Sequence, residues 1–302
     1  METGKNSRAV LCAVLAAALY ALSTPLSKVL MAEEVGSNMM AALLYLGAGI
    51  GMGILALGRY LTGNSTKQEK LGRRDVPYII GMIVLDIAAP ISLMAGLRSA
   101  TAANVSLMNN FEIVATSIIA FVIFREKIGL RVWLAIGLIT VSSMILAFEG
   151  SGSLKFSAGS LLVLLACVCW GFENNCTRML PHGDPQSIVV IKGLGSGAGA
   201  LLIALAAGEQ TPDAVSLLGG LALGFVAYGL SIFFYVTAQR DLGAARTSAY
   251  YAVAPFIGSA ISMLVFRSWP GMAFWTALLI MALGVDLISE QPVLFRKMKA
   301  KD

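Results

Sequence analysis

The sequence predicts an all-α integral membrane protein: ten transmembrane helices in two inverted five-helix repeats, with both termini in the cytosol. Three observations carry this expectation. Of 302 residues, 57% are hydrophobic and only 13% charged, and the mean hydropathy is +0.79; a soluble domain carries roughly twice that charge. Apolar runs of about 20 residues recur along the whole chain, the length that crosses a bilayer core as a helix. The second half also repeats features of the first. An ordinary soluble domain, a disordered chain and a disulfide scaffold are all excluded.

The spans fall at 8–31, 38–60, 76–97, 101–124, 130–149, 157–180, 186–207, 213–239, 244–266 and 270–289. Span 1 follows Lys5 and Arg8 and runs to about Met31. That is too long for the apolar core of a signal peptide, so it is read as a retained helix. Span 2 alternates Gly47, Gly49, Gly51 and Gly53, and span 7 alternates Gly193, Gly195, Gly197 and Gly199. No strand precedes either run, so neither is a nucleotide-binding loop. Overlapping small-residue pairs of this kind allow close helix contact. Pro25, Pro90 and Pro255 are expected to break spans 1, 3 and 9.

Cations set the orientation. With the N-terminus in the cytosol, seventeen of the 22 Lys and Arg residues fall on the cytosolic side, many of them in the 61–75 segment and the basic tail. Lys28, Arg98, Lys155 and Arg267 fall opposite, and Lys192 lies within a span. This is a positive-inside pattern, and it accounts for the net charge of +5 without nucleic acid. Cys12, Cys167, Cys169 and Cys176 lie in apolar runs without metal-ligand spacing, and His182 is the single histidine. No metal site and no cofactor are expected.

The internal repeat is the most informative feature. Residues 20–28 (YALSTPLSK) parallel residues 170–178 (WGFENNCTR), with Lys28 opposite Arg178. The glycine runs of spans 2 and 7 correspond. At a constant offset, Arg98 corresponds to Arg240, Ser106 to Ser248, Phe124-Arg125 to Phe266-Arg267 and Trp133 to Trp275. The halves are therefore 1–150 and 151–302. Five spans is an odd number, so the second copy is upside down. Inverted repeats mark alternating-access carriers, with a site near the midplane.

These stretches, with LRSATAANVSLMNNFEIVATSIIAFVIFREKI (97–128) and RDLGAARTSAYYAVAPFIGSAISMLVF (240–266), resemble the drug/metabolite transporter superfamily in its ten-helix branch of two EamA-type repeats. Glu126 matches the acidic end of the family's span-4 run, and Pro255 its span-9 proline. The first repeat departs at Glu112-Ile113, where the second has Ala254-Pro255. The resemblance implies a central cavity lined by spans 1, 3, 4, 6, 8 and 9, with spans 5 and 10 peripheral. It also implies small polar metabolites as cargo, often moved outward by proton coupling or exchange.

Ionisable groups inside a membrane are costly and functional by default. Glu112 shares a helical face with Asn109, Thr116 and nearly with Ser106, where it could load a proton near neutral pH or hold a substrate amine; Asn110 adjoins it. Asp86, mid-span 3, is the second coupling candidate. Trp170, Glu173, Asn174 and Thr177 fall on one face of span 6, as Tyr20, Ser23, Thr24 and Ser27 do in span 1. Two such faces meeting would form a hydrogen-bonding site with aromatic lids. Lys192 could bind a substrate carboxylate, pair with Glu173, or snorkel to the interface. Tyr228 shares a face with Ser231 and Tyr235, and Tyr251 lies just before Pro255.

The expected function is secondary active transport of a small polar metabolite, an amino acid or amine-like compound, across the cytoplasmic membrane by alternating access. The alternatives are a nucleotide-sugar or phosphate exchanger, which calls for paired cavity cations, and a flippase for lipid-linked substrates. No triad or phosphate loop points to an enzyme. The partners are the substrate, protons and the lipid bilayer, with the chain a monomer or homodimer.

Overall fold

The computed structural model describes residues 2–33, 35–62, 72–123, 125, 129–147, 157–180, 184–242, 247 and 250–288. Lys67, Lys70, Glu126, Lys155, His182, Arg246, Ser248 and the basic tail lie outside the described residues, as do the side chains of Arg178 and Arg240. No strand occurs among the described residues. The helices are α1 (Glu2–Ala21), α2 (Ser23–Ala32), α3 (Ser37–Leu61), α4 (Val76–Ser99), α5 (Ala102–Met108), α6 (Phe111–Val122) and α7 (Leu130–Ala147). They continue with α8 (Ala158–Arg178), α9 (Pro185–Ala206), α10 (Ala214–Leu223), a π-helical segment (Gly224–Leu230), α11 (Ser231–Leu242), α12 (Ala254–Phe266) and α13 (Met272–Ile288).

Among the described residues, seven helical stretches are long and apolar enough to cross a membrane: 8–32, 37–61, 76–99, 102–122, 158–177, 185–206 and 214–235. Three further apolar helices are shorter, 130–146, 254–266 and 272–287. The perimeter is apolar. Leu11, Ile54, Leu202, Val215 and Leu264 are all exposed, as suits a lipid-facing surface rather than a water-facing one.

Caps and breaks follow from particular residues. Asp184 accepts from the Ser187 amide at 3.1 Å to start α9, and Pro185 sits at its first position, where a missing N–H costs nothing. Asp213 starts α10 in the same way. Hydrogen bonds from Ser216 and the neighbouring backbone hold its carboxyl below the usual range. The Glu209 carboxylate receives the amides of Asn38 and Met39, at 3.2 and 2.7 Å, and so caps α3 from another part of the chain. Lys28 donates to Leu97 O at 2.7 Å and to Ala100 O, which satisfies carbonyls at the end of α4.

The proline expectations hold unevenly. The break in span 1 falls at Leu22, three residues before Pro25, whose missing amide removes the bond back to that turn. Pro90, in contrast, does not break its span. α4 runs unbroken through it, because the bonds on either side persist and only one is lost. Span 9 breaks as expected: the helix at Tyr250-Tyr251 gives way to a turn at Ala252-Val253, and Pro255 sits in the first turn of α12. Span 4 breaks with no proline at all: α5 ends at Met108, α6 starts at Phe111, and Asn109-Asn110 form the turn. Glu112 N and Ile113 N then bond back only three residues, to Asn109 O and Asn110 O.

Helices pair in a regular pattern. α3 lies along α9, α4 along α8, α1 along α11, and α7 along α13; α6 packs on α8 and α1 on α12. Exchanging each span of the first half for its counterpart in the second returns the same set of pairs. The ends of α6 and α12 also match. Arg125 and Arg267 both take a left-handed conformation, φ 54° and 47°. A side chain there costs about 1 kcal/mol that glycine avoids. Arg267→Gly is therefore expected to raise the melting temperature in detergent by a few degrees; a lower one would show that the arginine side chain contributes more than the strain removes.

The alternating glycines serve two faces at once. Gly193 and Gly197 face α3, and a Cβ at Gly197 would come within 2.6 Å of Leu46 N. Gly195 and Gly199 face α4, against the side chains of Ile83 and Ile87. Each period-two run is thus two interleaved GxxxG pairs, because residues four apart share a helix face.

Candidate functional site

α9 approaches α3 closely at its glycines, and Lys192 is the residue just before the contact. Its Nζ donates to Glu173 Oε1 of α8 at 2.7 Å and lies 3.2 Å from Asp86 Oδ2 of α4. Both carboxylates are buried, Asp86 completely. Tyr45 of α3 donates its hydroxyl to Asp86 Oδ1 at 2.8 Å, and Trp170 Nε1 donates to that hydroxyl at 3.3 Å. Thr177 donates to Glu173 Oε1. Four helices therefore converge on one charged cluster. Lys192 pairs inward and does not snorkel.

Glu112 begins beside this cluster. It sits in the first turn of α6, just after the Asn109-Asn110 break, and its Oε1 accepts from Asn174 Nδ2 at 2.6 Å. Asn174 also reaches Thr116 Oγ1 at 3.4 Å. Asn175 donates to Thr116 O and Gly171 O, at 3.3 and 2.8 Å, and locks α8 to α6. The carbonyl freed at the break, Met108 O, faces Cys167, whose Sγ lies 3.7 Å from it and 3.9 Å from Asn109 O.

The break divides what the sequence reads as one polar face. Glu112 and Thr116 turn to Asn174, whereas Ser106 and Asn109 turn to a small recess with Tyr20, Ser23, Thr24, Pro255 and Gly258. Ser106 Oγ and Asn109 Oδ1 are buried there and have no hydrogen-bond partner among the described residues. Asn110 is buried too, with Nδ2 unpartnered. Buried polar groups are normally satisfied, so such a set marks a place where a ligand or water completes the bonding.

Tyrosines connect the two regions. The Tyr20 ring lies 5.8 Å from Tyr228 and 5.7 Å from Tyr251. Tyr228 lies 5.2 Å from Tyr45, and Tyr235 lies 5.0 Å from Tyr251. Ser231 Oγ donates to Ala16 O at 2.9 Å and approaches Tyr251 OH at 3.5 Å. The π-helical turn carries Tyr228, and π segments often occur at functional positions.

The sequence-derived candidates thus fall into two neighbouring groups. Asp86, Glu112, Trp170, Glu173, Asn174 and Lys192 form the charged group, and Tyr20, Thr24 and Asn109 line the recess. Tyr228 and Tyr251 lie between, in ring contact with Tyr20. The polar face of span 1 lines the recess and that of span 6 carries the charged group. Sequence reasoning missed Tyr45, the hydroxyl partner of Asp86. Its signal was there: a polar-tipped aromatic four residues before Gly49 in an otherwise apolar span. Among the described residues, no group of three or more His, Cys, Asp or Glu side chains could hold a metal ion.

Comparison with known proteins matches this architecture to one family. The EamA-like transporter family matches twice, over residues 7–148 and 157–290. A protein of Methanothermobacter thermautotrophicus, described as an uncharacterized transporter, is 25% identical over 209 residues, 66% of this chain. The match spans 60% of that relative's length. The uncharacterized transporter YyaM of Bacillus subtilis is 21% identical over 208 residues, 66% of this chain and 68% of YyaM. A solved crystal structure shares the fold with a TM-score of 0.65 at 15% identity, covering 97% of this chain and 99% of the other.

Proposed function

The chain belongs to the EamA-like transporter family and is a multi-pass membrane protein; from that premise we propose that it is a secondary carrier for a small polar, amine-bearing metabolite. The carrier works by alternating access in the cytoplasmic membrane, with both termini cytosolic. Its ten spans are the seven long helical stretches and three shorter helices, in two inverted five-helix repeats divided near residue 150. The self-matching helix pairs, the paired left-handed arginines and the double family match support that division.

One observation carries the functional reading: a buried charged cluster sits where α3, α4, α8 and α9 meet inside an apolar bundle. Helix packing alone does not call for two carboxylates and a lysine there, with Glu112 beside them. Glu112 takes up a proton or substrate amine, and the recess at Ser106 and Asn109 supplies neutral hydrogen bonds. The tyrosines between them exclude water and stack on the substrate. The phosphate-exchanger alternative is weaker, because Lys192 is already engaged by two carboxylates.

The test is counterflow in proteoliposomes loaded with unlabelled amines and amino acids in turn. The expected result is saturable, substrate-dependent uptake of the matching labelled compound. Binding without flux would indicate a receptor, and scrambling of labelled lipid would indicate a flippase. Either would overturn the proposal.

A further inference from the structure

The charged cluster is unbalanced. Two carboxylates, Asp86 and Glu173, face one ammonium, Lys192. Lys192 donates to Glu173 Oε1 and forms an ion pair with Asp86 Oδ2 at 3.2 Å. Among the described residues, that buried oxygen has no neutral donor. Tyr45 serves the other oxygen of Asp86. The cluster therefore holds two buried carboxylates against one ammonium, an excess of negative charge that favours a cationic guest over a zwitterionic or anionic one.

The surroundings favour an organic cation. Tyr45 and Trp170 edge the cluster, and Tyr228 lies against Tyr45. They give the carbon skeleton of a substrate an aromatic wall beside the charged pair. A substrate carboxylate, in contrast, would add negative charge to a cluster that already has an excess of it. Lys192 is also the most accessible of the three side chains. Its side chain keeps 11% accessibility against 0% and 3% for the carboxylates, and a four-carbon stem can withdraw along apolar surface.

We infer that Asp86 and Glu173 form an ammonium site, occupied by Lys192 when no substrate is bound, and that the transported molecule is a monocationic amine lacking a carboxylate that takes the place of Lys192. The transport half of this inference rests on the carrier reading above; the ammonium site does not.

Purified full-length protein tests it by thermal unfolding in methylammonium chloride and in sodium chloride at equal ionic strength. The comparison is wild type, Lys192→Gln and Lys192→Gln/Asp86→Asn. Methylammonium is expected to raise the melting temperature of Lys192→Gln by about 5 °C more than sodium does. The wild type responds less, because its own lysine competes. The double variant responds least, having lost one carboxylate charge. Equal responses to both salts in all three proteins would overturn the site.

If Lys192→Gln does not fold, matched probes on the wild type decide. Phenethylamine is expected to bind at least about tenfold more tightly than phenylalanine or 3-phenylpropionate, roughly the worth of one unpaired charge contact. Tighter binding of phenylalanine would show that a carboxylate is accommodated and would overturn the inference. Amines that stabilise the protein but give no counterflow would keep the ammonium site and remove the carrier. Counterflow of zwitterions alone would do the reverse.

Discussion

Glu112→Gln is expected to abolish uphill transport driven by a proton gradient while leaving substrate counterflow measurable. Glutamine keeps the oxygen that accepts from Asn174 at 2.6 Å, so the link between α6 and α8 persists and the protein stays folded. What disappears is the ability to gain and lose a proton. Glu112 suits that role by position. It lies in the first turn of α6, where the helix end favours negative charge, and it makes no salt bridge among the described residues. Asp86 is less free, held by both Tyr45 and Lys192. Accumulation should fall by about 100-fold, the consequence of losing roughly 2.7 kcal/mol of coupling. Unchanged accumulation with an unchanged pH profile would remove Glu112 from coupling. Loss of counterflow as well, in a protein that still unfolds cooperatively at the wild-type temperature, would make it a substrate ligand instead.

The all-helical, membrane-spanning character was legible in the sequence because bilayer thickness imposes span length. The apolar runs at 37–61 or 185–206 needed no partner to be recognised. The site was legible only as a set of costly residues. Periodicity showed that Glu173 and Asn174 lie on the inner face of α8. It did not show that Glu173 turns to Lys192 and Asn174 to Glu112, because those partners depend on how neighbouring helices rotate and approach. The Asn109-Asn110 break escaped for a related reason. No proline announces it; the carbonyl it frees, Met108 O, meets a residue 59 positions away, Cys167. Tyr45 escaped because one tyrosine in an apolar span reads as packing until Asp86 is seen beside it. Glu209 lies outside any span, and its cap on α3 is a contact across 170 residues.

The largest effect on stability is expected at Gly193. A Cβ there would collide with the backbone of Gly49 and lie 2.8 Å from Tyr45 O. Backbone cannot swing aside as a side chain can, so α9 must move away from α3. Gly193→Leu is expected to cost about 3 kcal/mol or more, the upper range for overpacking, and to yield little folded protein in detergent. The smaller Gly193→Ala keeps more protein folded but separates the helices enough to draw Lys192, one residue away, from Asp86. Gly53→Ala is the control, since a Cβ at Gly53 meets nothing within 4 Å, and it should cost nothing. The comparison also separates packing from function. If Gly193→Ala lowers stability only slightly yet abolishes counterflow, the α3–α9 contact sets the geometry of the charged cluster. If Gly193→Leu folds as well as the Gly53 control, α3 and α9 are not in the close contact that places Lys192 between its two carboxylates.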